Sequence, residues 1–168
     1  MVVSPDSAGV PIAHRLAVLF RFVVGGIFLI SGLAKIADPV RFLLTLREFQ
    51  LLPGTLESFL AVYLPWLEFL LGLCVVLGVL HRTASLMIAG LNGFFIIAIG
   101  SVMARGIVVD CGCFGLLADV LHLPDLADGK AIIRNLVLMG MCLQVFRSEA
   151  LTWTVEGYIA RSRHRERS

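Results

Sequence analysis

The sequence predicts an all-α integral membrane protein, a four-helix bundle with an additional amphipathic interfacial helix. Three observations predict it. Of 168 residues, 58% are apolar and 15% charged, with a mean hydropathy of +0.93; an ordinary soluble domain runs about 45–50% and about 25%. Four apolar stretches approach the ~20 residues that cross ~30 Å of hydrocarbon at ~1.5 Å per residue. These stretches are continuous, whereas barrel strands alternate over ~10 residues. The same composition argues against a water-soluble enzyme, a disordered chain and a nucleic-acid binder. A formal net charge of +2 is too small to imply a polyanionic partner. Membrane lipid is the expected surrounding.

The first stretch, 16–36, is interrupted by Arg21 and ends near Lys35. It exceeds the 7–15-residue core of a signal peptide and no clear small-residue cleavage site follows, so it reads as a retained span. The connection 37–57 places Phe42, Leu43, Leu46 and Phe49 on one helical face and Arg41, Thr45 and Glu48 on another. That pattern predicts an amphipathic helix lying in the interface, ended by the turn Leu52-Pro53-Gly54. The second stretch, 58–80, carries Glu68 as its only charge, and the third, 83–104, carries none. The connection 105–130 is rich in Gly, Asp and Pro, and loops of such length are usually functional or disordered. The fourth stretch, 131–146, is the shortest and holds Arg134 and Asn135 near its start. Residues 1–150 form the membrane domain, and 151–168 a basic tail.

Small residues let membrane helices approach closely. Gly25, Gly26, Gly32, Gly72, Gly78, Gly90 and Gly93 are candidates for that use. An ionisable residue inside a span is costly and needs a partner. Lys35 is the first choice for Glu68 and Arg134 the second; the three together are the predicted polar core within the membrane. Pro65, one turn before Glu68, predicts a kink on the same face. Asn92 and Asn135 are expected to hydrogen-bond between helices. Arg21 is expected to snorkel towards headgroups on the opposite side. Seven Lys and Arg flank the spans on the side of the termini and five on the other. Both termini are therefore expected in the cytoplasm, with 105–130 on the outer face.

Cys111-Gly112-Cys113 follows the third stretch, between Asp110 and Phe114-Gly115. Glycine permits the bend that brings the two thiols together. Strained, exposed disulfides are the labile or catalytic ones. Three readings stand: a redox-active dithiol exchanging with another protein's cysteines or with a membrane quinone; a static disulfide; or half of a metal site with His122 and Asp110 or Asp119. A single C-x-C is poor metal evidence, because zinc sites favour C-x2-4-C pairs. Cys74 and Cys142 lie deep in apolar stretches and read as packing residues.

The blocks Ser31-Gly32-Leu33-Ala34-Lys35, Leu64-Pro65-Trp66-Leu67-Glu68, Asp110-Cys111-Gly112-Cys113-Phe114-Gly115 and Arg134-Asn135 together resemble the methylamine utilisation protein MauE family. That family is a branch of the DoxX-like four-helix membrane proteins. The resemblance covers roughly 16–146, and the Cys-Gly-Cys-Phe-Gly block is its specific part. It implies a role in maturing the beta subunit of methylamine dehydrogenase, a disulfide-rich subunit exported to the periplasm, through processing, transport or disulfide formation. It implies Cys111 and Cys113 as the functional thiols, with Lys35, Glu68 and Arg134 as the polar core beneath. The expected partners are an exported cysteine-containing client and a thioredoxin-like protein, with a quinone as the candidate cofactor of the dithiol and the inner membrane as the expected location. The alternative is a non-catalytic assembly scaffold with a structural disulfide, docking through Phe42, Leu46 and Phe49.

Overall fold

The computed structural model describes residues 12–107, 109 and 128–147. Every regular element among them is a helix: α1 (Ile12–Ala37), α2 (Pro39–Phe49), α3 (Gly54–Leu77), α4 (His81–Ala104) and α5 (Gly129–Arg147). Four of these, all but α2, are long and apolar enough to cross a membrane.

Local chemistry sets the helix ends. Asp38 caps α2 by accepting the Arg41 N–H at 3.0 Å, and Pro39 occupies the first turn, where its missing donor costs nothing. Gln50, at φ 50°, ends the helix. The helix α3 begins four residues before the apolar stretch does, after Pro53, with Glu57 in its first turn, where the helix dipole favours an acid. It stops at Gly78, whose φ of 71° suits glycine, as the Gly78 N–H bonds back to the carbonyls of Cys74 and Val75. Gly78 is thus a helix stop rather than a close-approach residue. Asp128 starts α5, its carboxylate accepting the Ala131 N–H at 3.0 Å.

The spanning helices form a ring in the order α1, α3, α4, α5, with α1 most extensively packed on α3 and α4 on α5. Neighbours run antiparallel. Gly25 faces Gly72 and Val76 while Gly32 faces Pro65 and Phe69, so α1 ascends as α3 descends. At these positions a Cβ would strike backbone: one on Gly32 would lie 2.6 Å from the Phe69 nitrogen, and one on Gly72 2.7 Å from that of Leu29. Here the absence of a side chain sets the helix separation. Gly26, Gly90 and Gly93 meet nothing within 4 Å, which corrects the close-packing role expected of them. A glycine matters to packing only where two backbones cross.

One apolar cluster joins Val24, Phe28, Val75, Ile88 and Cys142, with Cys74 packed against it. A second joins Phe49, Ala98, Ile99, Val102, Val109 and Ala131. The outer surface is also apolar: Leu33, Tyr63, Ile97 and Ile133, one on each spanning helix, are all more than half exposed. Soluble monomers rarely expose contiguous apolar surface on this scale; hydrocarbon removes its cost.

The helix α2 keeps the predicted division of faces, with Arg41 and Glu48 exposed and Phe42 and Phe49 buried. Its apolar face packs on the bundle: Phe42 clusters with Ala61 and Leu64, and Phe49 with Ala98 and Ala131. The docking face expected at Phe42, Leu46 and Phe49 is therefore largely covered by the protein's own helices.

Candidate functional site

The site begins with the seam between α1 and α3. Ser31 and Lys35 are four residues apart on α1, so they share a face. The missing side chain of Gly32 lets that face approach α3 where Pro65 and Glu68 lie. Lys35 Nζ reaches Glu68 Oε2 at 2.6 Å and Oε1 at 2.8 Å. Ser31 Oγ donates to Glu68 Oε2 at 3.3 Å and accepts from Lys35 Nζ at 3.2 Å. Lys35 is 4% exposed and Glu68 1%. Two charges taken out of water need good geometry and additional hydrogen bonds to offset desolvation, and the bidentate contact with the serine bridge supplies both.

Aromatic rings close the remaining sides of the ammonium. The Phe42 ring centroid, from α2, lies 5.1 Å from Lys35 Nζ, and that of Phe95, from α4, 5.4 Å. Both distances fall within the ~6 Å range of cation–π attraction.

Beside the pair is a partly open cavity with room for little more than a water molecule, lined also by Asn92, Arg134 and Asn135. Arg134 thus shares a chamber with Lys35 and Glu68. The two asparagines do not use their amides between helices as expected. Asn92 Nδ2 donates to the Ile88 carbonyl at 3.1 Å and Asn135 Nδ2 to the Ala131 carbonyl at 2.8 Å, each four residues back on its own helix. A backbone carbonyl one turn away is the nearest acceptor and needs no second helix to be in register. Asn92 Oδ1 is buried with no hydrogen-bond partner among the described residues. Arg21 is another correction: it is 3% exposed, its guanidinium 5.0 Å from the Phe22 ring centroid, instead of extending to headgroups. A guanidinium is weakly hydrated and stacks readily on aromatic faces.

Two further contacts hold α2 over the site. Arg105, just past α4, donates to the carbonyls of Phe49, Gln50 and Ser101, the last at 3.2 Å from Nε. Arg47 pairs with Glu57 at 3.7 Å. Neither was visible in the sequence, where Arg105 reads only as a flanking charge and Glu57 as loop. The roles of Phe42 and Phe95 were equally hidden, since an aromatic on an apolar helix carries no sign of facing a cation.

Cys111, Cys113, Asp110, Asp119, His122 and the tail 151–168 lie outside the described residues. The nearest described neighbours of the cysteine segment in the chain are Val109 and Asp128. Val109 is 4% exposed and packs in the cluster of Phe49. Among the described residues no three His, Cys, Asp or Glu side chains are grouped to hold a metal. Cys74 and Cys142 are free thiols in one apolar cluster.

Four apolar helices of spanning length around a buried ion pair define a multi-pass membrane protein of the helical-bundle class. No curated protein and no solved structure gives a significant match. A model of one family, the methylamine utilisation protein MauE, matches residues 13–147. The chain belongs to that family, and membership suggests a role in methylamine utilisation.

Proposed function

We propose that this protein is a membrane factor for the maturation of an exported, cysteine-containing client, acting through a Cys111–Cys113 dithiol on the outer membrane face. In this reading the chain sits in the inner membrane with both termini cytoplasmic. The helix α2 lies at the outer interface, and the methylamine dehydrogenase beta subunit is the client that family membership favours. One observation carries the reading: the segment holding the two cysteines joins α4 to α5 at the end of the bundle where α2 covers the Lys35–Glu68 pair. The packing of Val109 against Phe49 supports it, tying the chain just before Cys111 to that covering helix.

The chemistry is thiol–disulfide exchange. A client thiolate attacks one sulfur of the Cys111–Cys113 disulfide, breaking that bond and forming a mixed disulfide. A second client thiolate displaces the cysteine, leaving the client oxidised and Cys111 and Cys113 as thiols. Two electrons and two protons then pass to an acceptor, a membrane quinone or a thioredoxin-like disulfide, which restores the pair. Lys35, Glu68 and Arg134 form the polar floor of the site.

Single Cys111→Ser and Cys113→Ser variants expressed with the beta subunit test this. One of the two is expected to trap a mixed disulfide, seen as a reductant-sensitive band containing both proteins. A double variant that still supports normal client disulfides, with no trapped species from either single variant, overturns the reading. It would leave the assembly-scaffold alternative.

A further inference from the structure

The cavity beside the ion pair draws its polar lining from all four spanning helices: Ser31 and Lys35 from α1, Glu68 from α3, Asn92 from α4, and Arg134 and Asn135 from α5. It has room for about one water molecule. Cavities that stay dry are lined by apolar groups, and this one is not.

Two acceptors on its walls have capacity to spare. Asn92 is fully buried. Its Nδ2 donates to the Ile88 carbonyl at 3.1 Å, which fixes the amide and leaves Oδ1 as the polar group it can offer the cavity. That oxygen is buried with no hydrogen-bond partner among the described residues. A buried acceptor left unmatched is costly, so a donor brought to it is favoured. Glu68 is the second. Its Oε2 accepts from both Lys35 and Ser31, whereas Oε1 accepts from Lys35 alone among the described residues. A carboxylate oxygen has about two lone-pair sites, so Oε1 can take another donor. Lys35 is not that donor, because its three N–H groups are matched by the two Glu68 oxygens and Ser31 Oγ. Arg134, on the same walls, carries donors only.

We infer that the cavity is a binding site for a single ordered water, which ties α4 and α5 to the buried ion pair. The water donates one hydrogen to Asn92 Oδ1 and the other to Glu68 Oε1, and its oxygen accepts from an Arg134 N–H. About three partners is the usual number for a buried water. Other occupants match the lining less well. A metal cation would satisfy the two oxygens but would stand beside two cationic side chains, Lys35 and Arg134. An anion offers Asn92 no donor and opposes Glu68. Organic groups exceed the space. The role of the water is to position: it gives α4 and α5 a hydrogen-bonded share in a pair that α1 and α3 make directly. This role goes beyond the dithiol reading and requires no part of it.

The chain contains two asparagines, Asn92 and Asn135. Isotope-labelled asparagine therefore gives two side-chain carbonyl signals, and the one lost in Asn92→Leu belongs to Asn92. The test is water-to-carbon magnetisation transfer, measured by solid-state NMR on the full chain in liposomes. The Asn92 carbonyl is expected to receive magnetisation from water well before the terminal methyls of the lipid chains, the dry reference in the same sample. In the Lys35→Met, Glu68→Leu double variant, which removes the Oε1 acceptor, that transfer is expected to slow at least threefold. Exchanging sodium for potassium is expected to leave the signal in place. Transfer no faster than to the lipid methyls, an unchanged rate in the double variant, or a shift on exchanging the cation overturns the inference. The first comparison needs only the native chain, so a double variant that fails to fold does not shield the proposal.

Discussion

Removing the Lys35 ammonium would leave a carboxylate that is 1% exposed, with Ser31 as its remaining side-chain donor among the described residues. Breaking a buried pair by deleting one partner costs about 3–5 kcal/mol, whereas replacing both by apolar groups of similar volume is often neutral. Lys35→Met and Glu68→Leu should each destabilise by about that amount, and the double variant should recover most of the loss. Denaturant unfolding in mixed micelles reads the difference; additive losses would show that the two side chains do not depend on one another. The partner of Glu68 was legible in the sequence because the second stretch holds one charge and few cations lie at its depth. The burial of Arg21 was not legible. A long cationic side chain can run to the interface or turn inward, and the neighbours that decide come from other helices. The same limit hid Phe95, which is one apolar residue among many until its ring is seen beside Lys35.

Between α1 and α3 the packing is backbone against backbone. A Cβ on Gly32 would stand 2.6 Å from the Phe69 nitrogen and 2.9 Å from the Pro65 oxygen, so helices must part to admit it. Overpacking of this kind costs about 1–3 kcal/mol. Gly32→Ala should therefore lower the melting temperature in detergent, while Gly90→Ala, with nothing within 4 Å, should leave it unchanged or raise it. Equal shifts in the two variants would contradict this account. The glycines at crossings and those in open space look alike in sequence, because hydropathy and spacing do not report which neighbour lies opposite.

The short helix α2 gives a second contrast. Arg105 bonds the carbonyls that end it, and Arg47, itself 55% exposed, pairs with Glu57 at 3.7 Å. An exposed pair contributes about 0–1 kcal/mol, so Arg47→Ala should change little. Arg105→Ala should speed amide hydrogen exchange in the last turn of α2, Leu46 to Phe49, more than in α4. The amphipathic pattern gave the position and both faces of α2. It did not say that Phe42 and Phe49 pack on the bundle, since a helix with one apolar face reads the same whether lipid or protein covers it.

For the molecule as a whole, the four spans were legible because hydrocarbon demands long apolar helices with all backbone groups internally paired. Their ends were less so: capping by Gly78 and Asp128 shifts them by a few residues from the apolar runs. The sidedness proposed from the flanking charges makes a direct prediction. With Cys74 and Cys142 replaced by Ala, a membrane-impermeant maleimide added to intact, reduced cells should label Cys111 and Cys113. Labelling only after lysis would place them in the cytoplasm and remove the oxidising surroundings on which the proposed exchange depends.

The contacts at Gly25 and Gly32 fall seven residues apart, opposite Val76 and Phe69, which are also seven apart. Two notches at this spacing act as a key, since both seat only when the helices are aligned in one way. A slip of one turn, about 5.4 Å, would unseat both at once and strand a cation and an anion separately in hydrocarbon. The alignment of this seam is thus checked twice, by shape and by charge. A chain inserted into the bilayer with α1 and α3 misaligned has two independent reasons to slide until it is right.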